Sequence, residues 1–269
     1  MTENAQATAE VVSAQNISRI FGEGTSGFQA LDNISLSIRE GQFVSVVGPS
    51  GCGKSTLMQI IGGLDAPTRG EVRIDGEPIT GPRPDKIGVV FQEALLLPWK
   101  TAAENIEFPL SLSGVPPAKR RARAMELLDL VGLVDFAGRF PHELSGGMKQ
   151  RVAIARGLVR NPRLLLMDEP FGALDEQTRT RMWEELLRVQ ERSHATILFI
   201  THSLVEAVYL ADEVLVMASR PGRIVERIVV GLPRPRSLDM LGSERLGKLR
   251  NQIWHLIAEP QETNQETRP

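Results

Sequence analysis

Gly48-Pro49-Ser50-Gly51-Cys52-Gly53-Lys54-Ser55-Thr56 follows the apolar run Phe43-Val44-Ser45-Val46-Val47 and precedes a stretch of modest helical amphipathicity over residues 56–64. It fits G-x-x-x-x-G-K-[ST] with Gly48, Gly53, Lys54 and Ser55 in register. A strand before the pattern and a helix after it form the setting in which it cradles phosphate. The glycines let successive backbone N–H groups turn inward around an anion, because a residue without Cβ adopts dihedrals closed to others. The helix then directs its unpaired N–H groups and positive dipole end at the same anion. Lys54 adds a full charge near the β- and γ-phosphates, and the Ser55 hydroxyl is placed for Mg²⁺. The stretch implies a nucleoside triphosphate but no particular protein class.

Working outward, 269 residues with 42% hydrophobic content support one large or two small soluble cores. With 31 basic and 33 acidic residues the formal net charge is -2, which gives no bulk electrostatic case for nucleic acid. The single cysteine, Cys52, excludes an intramolecular disulfide and agrees with a reducing, cytoplasmic location. The start MTENAQATAE lacks the basic and apolar regions of a secretory signal. No apolar run approaches the length of a membrane-spanning helix, so action at a membrane requires a partner.

Residues 1–9 read as a polar tail, and residues 10–20 as a strand ending at Phe21 and a glycine-rich loop, 22–27. Ile34, Leu36 and Ile38 alternate at period two, marking a half-buried strand over 31–38. Residues 70–76 and 87–91 read as further short strands. After Gln92 the character changes. Ala94-Leu95-Leu96-Leu97-Pro98-Trp99 is apolar and broken by proline, 101–110 read as a capped helix, and 118–131 place Ala124, Leu127, Leu128 and Val131 on one helical face. The cluster Lys119, Arg120, Arg121 and Arg123 reads first as a solvated helix face and second as a nucleic-acid patch. With a further helix over 146–159, residues 101–161 form a helical insert. Strands at 164–167, 196–201, 214–217 and 224–230 then alternate with helices at 176–192 and 204–211, implying a largely parallel sheet covered on both faces. Pro233-Arg234-Pro235-Arg236 breaks the pattern. An amphipathic helix over 246–258, with Leu246, Leu249, Ile253, Leu256 and Ile257 facing the body, precedes a polar tail, 260–269.

Asp168 and Glu169 stand at the C-terminal end of the buried strand Leu164-Leu165-Leu166-Met167, where ligands gather in open α/β sheets. In a phosphate-loop protein Asp168 would hold Mg²⁺, and Glu169 is placed to orient or deprotonate an attacking water. In Leu144-Ser145-Gly146-Gly147-Met148-Lys149-Gln150-Arg151, a serine and two glycines open a helix and form a second anion-binding terminus.

Together with Gln92, Gly172-Ala173-Leu174-Asp175 and His202, these motifs resemble the ATP-binding cassette (ABC) ATPases over residues 10–230. The resemblance implies an α/β fold: a P-loop NTPase core of RecA-like type with a mostly parallel sheet, an N-terminal antiparallel β-subdomain and an inserted helical subdomain. It divides the chain into a cassette, 10–232, with its insert at 101–161, and a C-terminal linker and helix, 233–259. It implies ATP and Mg²⁺ as cofactors. Gly48, Pro49, Ser50, Gly51, Cys52, Gly53, Lys54, Ser55 and Thr56 would bind the nucleotide phosphates, and Phe21 would stack on adenine where the family usually has tyrosine. Gln92 would reach Mg²⁺ and the attacking water, with Ser55 and Asp168 as the other metal contacts. His202 would contact the γ-phosphate beside Glu169 and Lys54. Cassettes of this family pair head to tail, so Ser145, Gly146 and Gly147 of one copy would close over ATP held by the other, with Asp175 crossing the interface.

The segments 91–93, 97–99, 169–175 and 219–224 look like those of subunits of bacterial nitrate, sulfonate and taurine importers. That likeness implies a membrane permease, a periplasmic or lipid-anchored solute-binding protein and a peripheral place on the cytoplasmic face of the inner membrane. Two other readings stand beside it: a soluble cassette protein of DNA repair or translation, and an export cassette. The apolar stretch 95–99 reads equally as packing between core and insert or as a groove for a cytoplasmic permease helix. Cys52 reads first as a small tolerated residue and second as a thiol beside a positive anion site that favours thiolate, whose alkylation would inhibit the ATPase and against which bound ATP would protect.

Overall fold

The computed structural model describes residues 9–22 and 27–258. Strands β1 (Glu10–Phe21) and β2 (Phe28–Arg39) pair antiparallel, and the chain then passes through β3 (Phe43–Val47) into α1 (Lys54–Ile61). β4 (Arg69–Ile74) and the short β5 (Glu77–Pro78) return to the first sheet, whose order is β2-β1-β4-β5. After β6 (Ile87–Val90) come three helices, α2 (Ala102–Ser111), α3 (Pro117–Leu130) and α4 (Gly146–Leu158), which pack on one another. The remaining elements are β7 (Leu164–Asp168), α5 (Glu176–Ser193), β8 (Ile197–Ile200), α6 (Leu204–Leu210), β9 (Glu213–Ala218), β10 (Arg223–Val229) and α7 (Glu244–Ala258). The second sheet runs β10-β9-β3-β8-β7-β6, parallel from β9 to β6, with β10 antiparallel at its edge.

Continuous apolar strands explain the parallel part of that sheet, β9 to β6, because both its faces are buried. Val44, Val46, Leu164, Leu166, Leu198 and Ile200 point into a core shared with α1 and the antiparallel sheet. Their neighbours Phe43, Val47, Leu165, Met167, Ile197 and Phe199 point into the opposite core, which the later helices cover. Each such side chain contributes about 1.5–3 kcal/mol by leaving water.

Local chemistry sets the helix ends. Thr101 and Glu104 close a reciprocal capping box on α2, a contribution of about 1 kcal/mol. α4 lies close against β6 because Gly88 has no side chain; a Cβ there would meet the Gly157 carbonyl at 2.3 Å. Arg120 and Arg121 both pair with Glu107, and Arg123 pairs with Glu126, so three cations of the α3 cluster have carboxylate partners within the fold.

Three expectations need adjustment. α1 begins at Lys54 and ends at Ile61, where Gly62 and Gly63 remove helix propensity. β2 starts at Phe28, three residues earlier than its alternation predicts. β10 runs antiparallel, because the few residues after β9 are too short for a parallel crossover. Apart from Ala9, Gly22 and Gly27, the tails at 1–9 and 260–269 and the loop at 22–27 lie outside the described residues.

Candidate nucleotide site

Parallel register sets Val46 beside Ile200 and Ile200 beside Asp168, so β3, β8 and β7 end at one level. Val90 pairs with Met167, bringing the end of β6 to the same edge. The fold therefore delivers Gly48, His202, Glu169 and Gln92 to the carboxyl edge of a single sheet, the usual ligand edge of open α/β folds.

Residues 48–56 wrap the start of α1. Gly53 caps the helix with φ 94 and no side-chain bond, and a Cβ there would lie 2.5 Å from Leu31 Cδ2. The Lys54 side chain is buried, and its Nζ donates to the Gly48 carbonyl at 2.9 Å and the Pro49 carbonyl at 3.0 Å. The loop thus encloses its own ammonium with neutral acceptors, which a phosphate oxygen can replace. Ser50, Gly51 and Ser55 are exposed, and Pro49 and Thr56 half-buried.

Of the two readings of Cys52, the reactive thiol fails. Its side chain is fully buried in the core beneath α1, with Sγ 3.7 Å from Lys54 Nζ. Burial pushes the thiol pKa up and outweighs the pull of the Lys54 ammonium. The thiol therefore does not favour thiolate, and only the backbone of Cys52 faces the loop chemistry.

Burial, and with it the neighbouring Glu169, pushes the Asp168 carboxyl above the ordinary range, against the opposing pull of Ser55 and Lys54. A divalent cation relieves that kind of penalty. No trio of His, Cys, Asp and Glu capable of caging a metal occurs among the described residues. The hard-oxygen pair Ser55 and Asp168 nonetheless fits Mg²⁺, which keeps several waters and takes its remaining oxygens from phosphates. Glu169 is half-buried at φ 44, a sparsely populated conformation for a residue with a side chain. Its Oε2 lies 3.0 Å from Nδ1 of the exposed His202. Gln92 is exposed, with Nε2 3.1 Å from the Cβ position of Gly172, in the turn that follows Glu169.

Phe21 lies at the end of β1 with one face of its ring covered by the Arg19 guanidinium, 4.6 Å from the centroid. Asp65 holds that guanidinium at 2.8 Å. Ser145 caps α4 by accepting from the Met148 N–H, and it is exposed together with Gly146. A Cβ on Gly147 would lie 2.9 Å from Thr178 Cγ2, and one on Gly146 3.3 Å from Leu174 Cδ2. Asp175 caps α5 through the Thr178 N–H, which holds its carboxyl below the ordinary range. The phosphate loop, Asp168, Glu169 and His202 thus share one edge, whereas Ser145, Gly146 and Gly147 gather with Asp175 at the start of α5.

Several residues of consequence lie outside the motifs. Gln150 donates to the Phe91 carbonyl at 3.1 Å, and Arg156 donates to those of Ala94 and Leu95, each at 2.8 Å. The buried Asn105 bonds both the N–H and the carbonyl of Leu97 and the carbonyl of Lys100. Glu206 is buried within α6 against Trp183. An acid inside the apolar run Leu204–Leu210 was the only sequence signal for it.

Residues 31–172 match the ABC transporter family. The nitrate import ATP-binding protein NrtD of Synechocystis sp. is 50% identical over 218 residues, covering 81% of this chain and 82% of that protein. The aliphatic sulfonates import ATP-binding protein SsuB of Bacillus cereus is 47% identical over 226 residues, 84% of this chain and 88% of that one. Among solved structures, the dimeric post-hydrolysis state of the cassette MJ0796 bound to ADP and Pi superposes with a TM-score of 0.71 at 37% identity, covering 82% of this chain and all of that one. A phosphate loop, a strand-end Asp-Glu pair and a serine-capped helix on this shared fold make the chain a member of the ABC transporter family, an ATP-binding and ATP-hydrolysing cassette with import-type homologues.

Proposed function

We propose that this chain is the ATPase subunit of an importer for a small anion of the nitrate and sulfonate class, working as a head-to-tail dimer on the cytoplasmic face of a membrane. The observation that carries the reading is the Glu169–His202 pair, held at the sheet edge that also bears the phosphate loop. The names of the two curated relatives support the solute class, and the dimer of MJ0796 supports pairing.

In this reading residues 10–232 form the cassette and 101–161 its helical arm. Phe21 offers its free ring face to adenine, and residues 48–56 surround the phosphates as Lys54 exchanges its carbonyl partners for them. Ser55, Asp168 and Gln92 would hold Mg²⁺, which when bound neutralises phosphate charge. Glu169 takes the proton of the attacking water, and His202 orients Glu169 and meets the γ-phosphate. Ser145, Gly146 and Gly147 of the second copy complete the site, and Asp175 contacts that copy. The exposed side chains of Leu95 and Trp99 receive the permease, and a solute-binding protein delivers cargo on its far side.

Uptake is the test. A strain carrying Lys54→Ala in this chain loses energy-dependent uptake of nitrate or of an alkanesulfonate. Unchanged uptake of both overturns the solute class.

A further inference from the structure

Glu206 is the carboxylate that the fold buries most completely among the described residues, at 4% exposure, and its partners are neutral donors. Oε1 accepts from Trp183 Nε1 at 2.9 Å, and Oε2 accepts from the Thr201 hydroxyl. Thr201 Oγ1 also accepts from the Ser203 N–H at 2.9 Å, and Ser203 Oγ accepts from the Glu206 N–H at 3.3 Å. A closed ring of hydrogen bonds therefore joins Thr201, Ser203 and Glu206, and His202 stands between the first two. Burying an acid without a cation is costly, and such groups persist where they hold a particular geometry.

What the ring holds is the backbone on either side of His202, which places its imidazole 3.0 Å from Glu169. The fourth member lies on another element. Trp183 belongs to α5, whose N-cap is Asp175, and its indole packs on Tyr209 of α6 with ring centroids 5.7 Å apart. One hydrogen bond, Trp183 to Glu206, thus links the helix that starts at Asp175 to the loop that carries His202.

We propose that Glu206 is a positioning residue for ATP hydrolysis: through Thr201 and Ser203 it fixes His202 against Glu169, and through Trp183 it ties that pair to the helix beginning at Asp175. The inference rests on the roles proposed above for Glu169 and His202. Glu206 touches neither nucleotide nor water, and it acts by keeping the imidazole in place. When α5 shifts, the Trp183 bond carries the displacement to the base.

The test uses the purified full chain, ATP and Mg²⁺. Trp183→Phe keeps the ring packing and removes only the N–H donor, and Glu206→Gln keeps the volume. Each is expected to lower kcat about tenfold with KM for ATP unchanged, the pattern of an interaction realised in the transition state. The same Trp183→Phe change made in a His202→Ala chain is expected to add no further loss, because residues that act as a unit are non-additive. Independent losses, or a KM that rises with the fall in kcat, would mean mere structural damage and overturn the proposal. Where His202→Ala turns over too slowly to measure, the emission of Trp183 in a chain carrying Trp99→Phe and Trp254→Phe is read instead. His202→Ala is expected to shift that emission in the ATP-bound state, and an unmoved spectrum overturns the link. Wild-type kcat in His202→Ala itself refutes the assigned roles of the pair. Wild-type kcat in Trp183→Phe and Glu206→Gln beside a crippled His202→Ala refutes the clamp alone.

Discussion

Glu169 Oε2 and His202 Nδ1 meet at 3.0 Å although 33 residues separate them, because β7 and β8 are parallel neighbours that end at the same level. The contact is aimed by a backbone at φ 44 for Glu169, a conformation that costs on the order of 1 kcal/mol for a residue with a side chain. Such strain persists where it points a group at its target. Replacing the carboxylate by its amide keeps the shape and removes the base. Glu169→Gln is therefore expected to bind ATP, to lose roughly 10²- to 10³-fold in turnover, and to accumulate as a closed dimer. Phosphate release and size-exclusion chromatography with ATP check this, and brisk hydrolysis by the variant removes Glu169 from the role of base.

Lys54 spans the loop from within, bonded to the Gly48 and Pro49 carbonyls. Lys54→Ala removes the tie that shapes the loop and, in the proposed reading, a phosphate partner as well. Turnover is expected to fall below detection, and a nucleotide-binding titration should show weakened ATP affinity as well.

Asp168 supplies a pH test. Burial raises its folded carboxyl pKa above the unfolded value. Below the unfolded pKa both states are protonated and the residue contributes nothing. As pH rises through the unfolded and then the folded pKa, it costs stability, and the full cost persists at neutral pH. Without Mg²⁺ or nucleotide, Asp168→Asn should melt above the parent at neutral pH, because the amide carries no charge to be buried. The gap should close in acid, and hydrolysis should be lost throughout. Calorimetry across pH reads the first effect; a constant gap would contradict it.

Trp99 is 70% exposed, so Trp99→Glu should alter stability by no more than about 0.5 kcal/mol. Recovery of the permease with this chain from solubilised membranes should nevertheless fall at least tenfold. Leu97→Glu should do the same. Full assembly by both variants would reassign the segment to packing between core and insert.

Cys52 is sealed beneath α1 with its thiol pKa raised. Iodoacetamide should leave the native ATPase active and label Cys52 only once urea opens the fold. Rapid inactivation of the native protein would contradict that burial.

The phosphate loop was readable because its pattern is contiguous: strand, glycines, lysine and helix follow one another. The helix starts at Thr101 and Ser145 were readable for the same reason, each cap acting within one helical turn, whereas the cap that Asp175 makes was not read. What escaped are bonds that only tertiary packing creates. Arg19 finds Asp65 across 46 residues, and Trp183 finds Glu206 across 23. The reactive-thiol reading of Cys52 failed on direction. The anion site lies on one side of the loop backbone, whereas the side chain turns to the core on the other.

Gln150, Arg156 and Asn105 seize the segment from Phe91 to Lys100 almost wholly by its main-chain atoms. Main-chain atoms are the same whatever residue occupies a position, so this grip is indifferent to the lettering of the segment. A position such as Trp99 can therefore change identity while the path of the backbone, and the placement of Gln92 near its start, stays the same. A gene duplicate could be refitted to a different membrane partner by substitutions in this strip alone, leaving the ATP-consuming end of the molecule untouched.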